Sequence, residues 1–336
     1  MSSILKTALK IIIPLIVTGL LLWYMSTIID FSKVKSNLQT ADYTWVAITI
    51  AISLGAHLSR AYRWNLLMEP LGYKPSVGKT FLAVMVGYFG NIFIPRMGEF
   101  LRCLVLGWID RVPFKTAFGT VVAERAFDFL CLLTLIGVSL LMEFDRFSLL
   151  IKKIFVADEK ASEKIATNYA FIAVMLVLLV AVIVLYILRK KIMASTFYGK
   201  VKEFLTGLWQ GVISIKSMER KWTFLLHTFI IWTCYYFMTY LIFFSLPATS
   251  GLGPLAGLVI LIVGGLGMSA PASGGIGPFH LMVAGALQLF YGLTKDDGVA
   301  YAFVIHTSQL MTIVVVGLIS LLICLFLARK FKSQTK

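Results

Sequence analysis

GYFGNIFIPRMGEFLR, residues 87–102, is the stretch on which the reading of this chain turns. No charge occurs from Thr80 to Ile94; then Arg96, Glu99 and Arg102 follow Pro95 in close succession. A spanning helix needs roughly 20 apolar residues, and this run is shorter. The three charges therefore stand either outside a membrane or within it, and the rest of the chain has to decide which.

Composition makes the membrane certain. The 336 residues are 59% hydrophobic and 14% charged, with a mean hydropathy of +0.88, whereas soluble domains are about 25% charged. The apolar runs are continuous blocks of Leu, Ile, Val, Phe and Ala, which suits helices and not barrel strands. A net charge of +15 then marks cytoplasmic loops, not a nucleic-acid surface. Cys103, Cys131, Cys234 and Cys324 lie in or beside apolar runs with no CxxC spacing. They read as small buried residues, and neither a metal nor another cofactor is expected.

Full-length spans are predicted at about 11–29, 43–59, 126–142, 169–188, 222–246 and 298–328. Lys6 and Lys10 place the N-terminus inside and mark 11–29 as an uncleaved first span. The loops 30–42 and 143–168 are balanced in sign and read as outside. Arg60, Arg63, Lys74 and Lys79, the lysine-rich loop 189–221 and the tail from Arg329 read as inside. Both termini are thus expected in the cytoplasm, in a multi-pass protein of the cell (inner or plasma) membrane. Apolar residues recurring from Phe197 to Ile215 predict an amphipathic segment at about 195–218 on the inner leaflet.

Two apolar regions remain, about 77–112 and 251–294. Each must enter and leave by the same face, and each has a breaker at its centre: Pro95, and SAPASGGIGP from Ser269 to Pro278. The expected architecture is therefore an all-α polytopic protein with about six full transmembrane helices and two re-entrant hairpins. Eight spans result if the hairpins are counted otherwise. All 336 residues form one domain, with inverted units at about 43–142 and 222–328, an arrangement that places a ligand where broken helices meet near the midplane.

The charges in these regions are the candidate site. On a helix beginning after Pro95, Arg96, Glu99 and Arg102 share one face, with Glu99 between two guanidiniums. Ionisable groups in hydrocarbon are costly and usually functional; an interfacial salt-bridge cluster is the alternative. Glu124 and Asp128 lie i, i+4 beside Arg125 and are expected to face Arg96 or Arg102 across a cavity. His57, Arg60 and Arg63 form a basic stripe expected at headgroup depth, for lipid phosphate or for simple anchoring. In the second hairpin, Ser273, Gly274, Gly275 and Gly277 allow a tight turn, and His280 sits in the first turn of the helix that Pro278 opens. His306 and Gln309, i, i+3 on the last span, are candidates for the same cavity; an interhelical hydrogen bond is the alternative.

N-x-x-x-P-R-x-G-E-x-x-R, here Asn91, Pro95, Arg96, Gly98, Glu99 and Arg102, is followed by E-R-x-x-D, here Glu124, Arg125 and Asp128. Together these motifs resemble the flippase-like membrane region of lysylphosphatidylglycerol synthases, over nearly the whole chain. The glycine hairpin resembles that family's P-G-G-x-G-x-x-E element, with Ser273 in place of the proline and His280 in place of the glutamate. The resemblance implies movement of a lipid with a phosphate-bearing headgroup between leaflets. It does not imply aminoacyl transfer, for which no segment here supplies the soluble domain, and no nucleotide-binding loop is present. The alternatives are a membrane-embedded enzyme acting on a polyprenyl-phosphate or phospholipid, and a non-catalytic partner of a lipid-modifying enzyme.

Overall fold

The computed structural model describes residues 31–144, 218–270 and 272–333, together with Gly19, Trp23 and Thr27. The expected spans 11–29 and 169–188, and nearly all of the amphipathic segment 195–218, lie outside the described residues. Within them every regular element is a helix: α1 (Phe31–Gln39), α2 (Tyr43–Met68), α3 (Val77–Phe93), α4 (Gly98–Asp110), α5 (Phe114–Met142), α6 (Lys221–Ile242), α7 (Pro254–Ser269), α8 (Pro278–Tyr291) and α9 (Lys295–Ser333).

Local sequence sets the ends. Asp42 caps α2 by accepting the Thr44 N–H, and this bonding holds its carboxyl below the usual carboxylate range. Ser76 caps α3 in the same way. Pro254 and Pro278 stand at the first positions of α7 and α8, where a missing N–H costs nothing.

Phe114–Met142, Lys221–Ser245 and Lys295–Arg329 are long and apolar enough to cross a bilayer. Their outer faces carry large apolar side chains, including Leu133, Phe229 and Phe326, a surface that lipid and not water would cover. The protein is a multi-pass helical membrane protein. By contrast α3, α4, α7 and α8 have 17, 13, 16 and 14 residues, about 26, 20, 24 and 21 Å of helix, each short of the ~30 Å hydrocarbon core.

These short helices pack in pairs, α3 on α4 and α7 on α8. In the first pair the Gly98 N–H donates to Asn91 Oδ1 at 2.6 Å, and a Cβ at Gly98 would lie 2.2 Å from the Gly87 carbonyl oxygen. In the second, Gly274, Gly275 and Gly277 all take positive φ, at 60°, 74° and 96°, as the tight turn requires. Each pair sits in its own apolar core. One is built around Trp64, Met68, Leu106 and Ile109, the other around Phe243, Ile260, Leu287 and Tyr301. Helix α9 joins them, giving Tyr301 to one core and Cys324 to the other. The turn at Ser273–Gly275 reaches α3.

The buried Tyr301 hydroxyl donates to the Thr239 carbonyl at 2.7 Å, tying α9 to α6. Tyr301→Phe is expected to lower stability by about 1 kcal/mol, the usual net worth of one such bond. Thermal unfolding in detergent measures this, and an unchanged midpoint would remove the bond from the account of the fold.

One sequence expectation is corrected. The first short pair turns through Ile94–Met97, and α4 begins at Gly98, not directly after Pro95. Arg96 takes a left-handed φ of 65° in that turn, so it does not share a helical face with Glu99 and Arg102. The close approach of Gly98 to Gly87 and Asn91 holds the helix start there.

Candidate functional site

Three helices bring the charges together. Helix α2 carries Arg60 and Arg63 one turn apart, α5 carries Glu124, Arg125 and Asp128, and α4 contributes Arg102. Arg63 lies 2.9 Å from Glu124 and 2.7 Å from Asp128. Arg60 reaches Asp128 at 3.2 Å and Glu124 at 3.7 Å. Arg102 approaches the other Glu124 oxygen at 2.9 Å, and Arg125 lies 3.3 and 3.4 Å from the two carboxylates. Glu124 and Arg63 are fully buried, and Arg60 and Arg102 are 4% and 5% exposed.

Charge in this cluster does not balance. Four guanidiniums surround two carboxylates, so two positive charges are in excess. Glu99 stands nearby and still leaves the sum positive; its Oε2 is buried with no hydrogen-bond partner among the described residues. The Nε–H groups of Arg60, Arg63, Arg102 and Arg125 also lack acceptors there. Aromatic faces and one hydroxyl complete the setting. Arg60 lies between Tyr88 and Tyr235, 6.0 and 5.9 Å from the ring centres. Arg102 lies 4.7 Å from the centre of Trp64, whose indole donates to Thr120. Arg63 donates to Thr228. Such faces attract a guanidinium without neutralising it, so the cluster keeps a net positive charge, with Arg125 40% exposed.

Beside the cluster opens a cavity of about 960 Å³. Arg60, Arg96, Glu99, Arg125 and Asp128 are in its lining, as are Ser269, His306 and Gln309. The remainder is largely aromatic and aliphatic, including Phe118, Phe129, Trp232 and Ile260. A much smaller void of about 30 Å³ lies among Arg60, Asn91, Glu99, Arg102 and Arg125. The larger cavity is thus mostly apolar, with three arginines and two carboxylates in its lining.

The sequence-predicted residues fall in three groups. Glu124 meets Arg102, one of its two expected partners, in a direct buried ion pair and not across a cavity, while Asp128 pairs with Arg60, Arg63 and Arg125. Arg96 does not pair with Glu124 but lines the cavity from the turn that also holds Pro95. The stripe of His57, Arg60 and Arg63 requires correction: all three are buried, because Glu124 and Asp128 draw both guanidiniums inward and the His57 ring packs 4.6 Å from Tyr88. They form no exposed stripe: Arg63 is wholly enclosed, and His57 and Arg60 reach only the cavity wall. In the second pair, His306 bonds the Gly274 carbonyl at 2.8 Å, and the His280 ring stands 4.8 Å from His306. Ser273 and Gly275 are buried in the turn, with Gly277 closing it. Asp296 and Asp297 lie in the first turn of α9, where Lys33 and Asn37 of α1 meet them.

Tyr88, Tyr235, Trp64 and Thr228 had no signal in the sequence. Aromatic residues are common in apolar helices, and only the fold shows which of them flank a guanidinium.

Comparison with known proteins agrees with a membrane protein. A family model described as "Lysylphosphatidylglycerol synthase TM region" matches residues 11–317. A glycosyltransferase of Haloferax volcanii, AglD, is 32% identical over 131 residues, 39% of this chain and 21% of that protein. UPF0104 membrane proteins of Methanocaldococcus jannaschii and Methanothermobacter thermautotrophicus are 29% identical over 122 residues and 28% over 144. These two alignments cover 35% and 40% of this chain, and 36% and 43% of the relatives. The matches therefore span less than half of each relative's own length. No solved structure matches the chain.

Proposed function

The chain belongs to the lysylphosphatidylglycerol synthase TM-region family, and on that premise we propose that it moves a lipid with a phosphate-bearing headgroup between the leaflets of the cell membrane. The observation that carries the reading is the excess of positive charge, to which Arg125 contributes at 40% exposure, beside a large and mostly apolar cavity. A phosphate would supply the missing anion, and arginine meets phosphate through paired, charge-assisted hydrogen bonds. Arg96 and Arg125 contact the headgroup from the cavity wall. Arg60 and Arg102 set the field behind them, and Glu124 and Asp128 hold the guanidiniums in place.

In this reading the pairs α3–α4 and α7–α8 are re-entrant hairpins entering from opposite faces, with six full spans around them. The units 43–142 and 222–328 form an inverted repeat, and rocking of one unit against the other exposes the cavity to each leaflet in turn. Both termini lie in the cytoplasm. The breakers at Pro95 and at 269–278, the shortness of the four helices and the charge of the loops support this arrangement.

Purified protein in liposomes containing a labelled anionic phospholipid tests the reading. Wild type is expected to move the label across the bilayer well above the rate of empty vesicles. Arg96→Ala and Arg125→Ala are each expected to slow it roughly tenfold or more, the worth of one hydrogen bond to a charged group. A wild-type rate equal to that of protein-free vesicles would sink the proposal. The likeness to a glycosyltransferase supports one other reading, a membrane region that presents a lipid-phosphate carrier to a partner enzyme. That reading expects tight binding of the lipid with no movement.

A further inference from the structure

One carboxylate near the cluster stands apart from the other two. Glu124 and Asp128 each meet several guanidiniums. Among the described residues no ion pair reaches Glu99, and its Oε2 is buried with no hydrogen-bond partner. Donors are nonetheless close by. Glu99 lines the void of about 30 Å³ together with Arg60, Arg102 and Arg125, and the Nε–H of each of these three lacks an acceptor among the described residues. Arg102 follows Glu99 by three positions on α4, so the two side chains are neighbours on one helix face. A buried bond left unmade is unfavourable for donor and acceptor alike, and a turn of the Glu99 side chain towards Arg102 would form one.

The void has room for about one or two waters, and a phosphate, with four oxygens around one phosphorus, is larger. A phosphate on these guanidiniums therefore extends into the larger cavity, whose lining also includes Arg60, Glu99 and Arg125. There it meets the Glu99 carboxylate. Two anions then draw on the same arginines, and each weakens the hold of those arginines on the other. Asp128 also lines the cavity, but Arg63 at 2.7 Å and Arg60 at 3.2 Å already engage it. Glu99 is the carboxylate left to compete.

We propose that Glu99 is the release residue of this site, a built-in anion that weakens the arginines' grip on the headgroup phosphate and takes its place on Arg102 and Arg125 as it leaves. The inference rests on the phosphate reading above and adds the step of exit. Guanidiniums with no competitor would bind an anion and keep it, whereas a path across the membrane needs binding weak enough to leave. Glu99 supplies that weakening from within the same helix that carries Arg102.

Two measurements on the full chain test this with Glu99→Gln, which keeps the shape and removes the charge. Native mass spectrometry in detergent compares retention of phosphatidylpropanol, an anionic lipid, with that of diacylglycerol bearing the same acyl chains. The liposome assay reads movement of the labelled anionic phospholipid. Glu99→Gln is expected to retain phosphatidylpropanol roughly tenfold more than wild type, the order for one like charge withdrawn from a partly screened site. It should hold diacylglycerol as wild type does and move the labelled lipid more slowly. Glu99→Ala, which removes the same charge through a different side chain, should shift both readings in the same directions. Damage to the fold would lower retention and movement together, so a tighter hold with slower movement is the signature of release. Equal or weaker retention of phosphatidylpropanol by both variants overturns the role of Glu99 and leaves the phosphate reading standing. So does movement at or above the wild-type rate. Phosphatidylpropanol held no better than diacylglycerol by wild type and variants alike overturns the phosphate reading and this inference together.

Discussion

Glu124→Ala is expected to destabilise the protein by about 3–5 kcal/mol, the cost of removing one partner from a buried ion pair. Four guanidiniums lie within 3.7 Å of this one fully buried carboxylate. Without it Asp128 alone would face Arg60, Arg63 and Arg125, and Arg102 would lose its ion-pair partner in the cluster. The three helices α2, α4 and α5 would then converge on like charge. Glu124→Gln keeps the shape and one acceptor oxygen, so it should cost less than Ala yet more than a lost neutral bond. Asp128→Ala should fall below Glu124→Ala, because Asp128 keeps some access to solvent, at 12% side-chain exposure, and a part-exposed pair is screened. Scanning fluorimetry and size-exclusion profiles in detergent give the order. A Glu124→Ala midpoint within a degree of wild type would falsify the view that this residue is the keystone of the cluster. If a bound phosphate supplies the missing anion, adding the lipid should raise the midpoint of wild type more than that of Arg125→Ala.

How much of this was open to reading from the residues alone depends on the distance over which each feature acts. The membrane class, the breaks at Pro95 and at 269–278, and the helices between them follow from local composition and from residues that cannot continue a helix. Those signals act within a few positions. The partnership of Glu124 with Arg102 was also in reach, since a carboxylate in an apolar helix must find a cation and topology brings few near. The burial of Arg60 and Arg63 was not. Three basic groups at the end of an apolar stretch look the same in sequence whether they snorkel to headgroups or turn inward to acids 61 to 68 positions away. What separates the outcomes is the rotation of α2 against α5, which a periodic pattern of Ala, Ser and Leu does not encode. The position of Arg96 was missed for a related reason. The start of α4 is set by contacts of Gly98 with Gly87 and Asn91, and Pro95 alone pointed two residues too early.

The same contact yields the second large effect. Gly98→Ala is expected to destabilise the first short pair by roughly 1–3 kcal/mol, the range for overpacking a close contact, and to slow lipid movement as well. The added Cβ would stand 2.2 Å from the Gly87 carbonyl oxygen and 2.7 Å from the Asn91 amide nitrogen. One of these is backbone, so a rotamer change cannot relieve both. Helix α4 must then move away from α3, and with it move Glu99, on the cavity wall, and Arg102, in contact with Glu124. If the chain moves lipid as proposed, one methyl group links that movement to stability. Gly119→Ala in α5 is the matched control, because nothing lies within 4 Å of its Cβ position. There the better helix propensity of alanine should raise stability by about 0.5–1 kcal/mol and leave the transport rate unchanged. Asn91→Ala removes the bond to the Gly98 N–H but opens space, so it should weaken the pair without forcing the helices apart. Transport should then fall less than with Gly98→Ala. Melting midpoints and liposome rates for the three variants, measured side by side, decide between close packing and hydrogen bonding as the source of the turn. Equal effects of Gly98→Ala and Gly119→Ala would mean that the approach of α3 to α4 plays no part in placing Glu99 and Arg102.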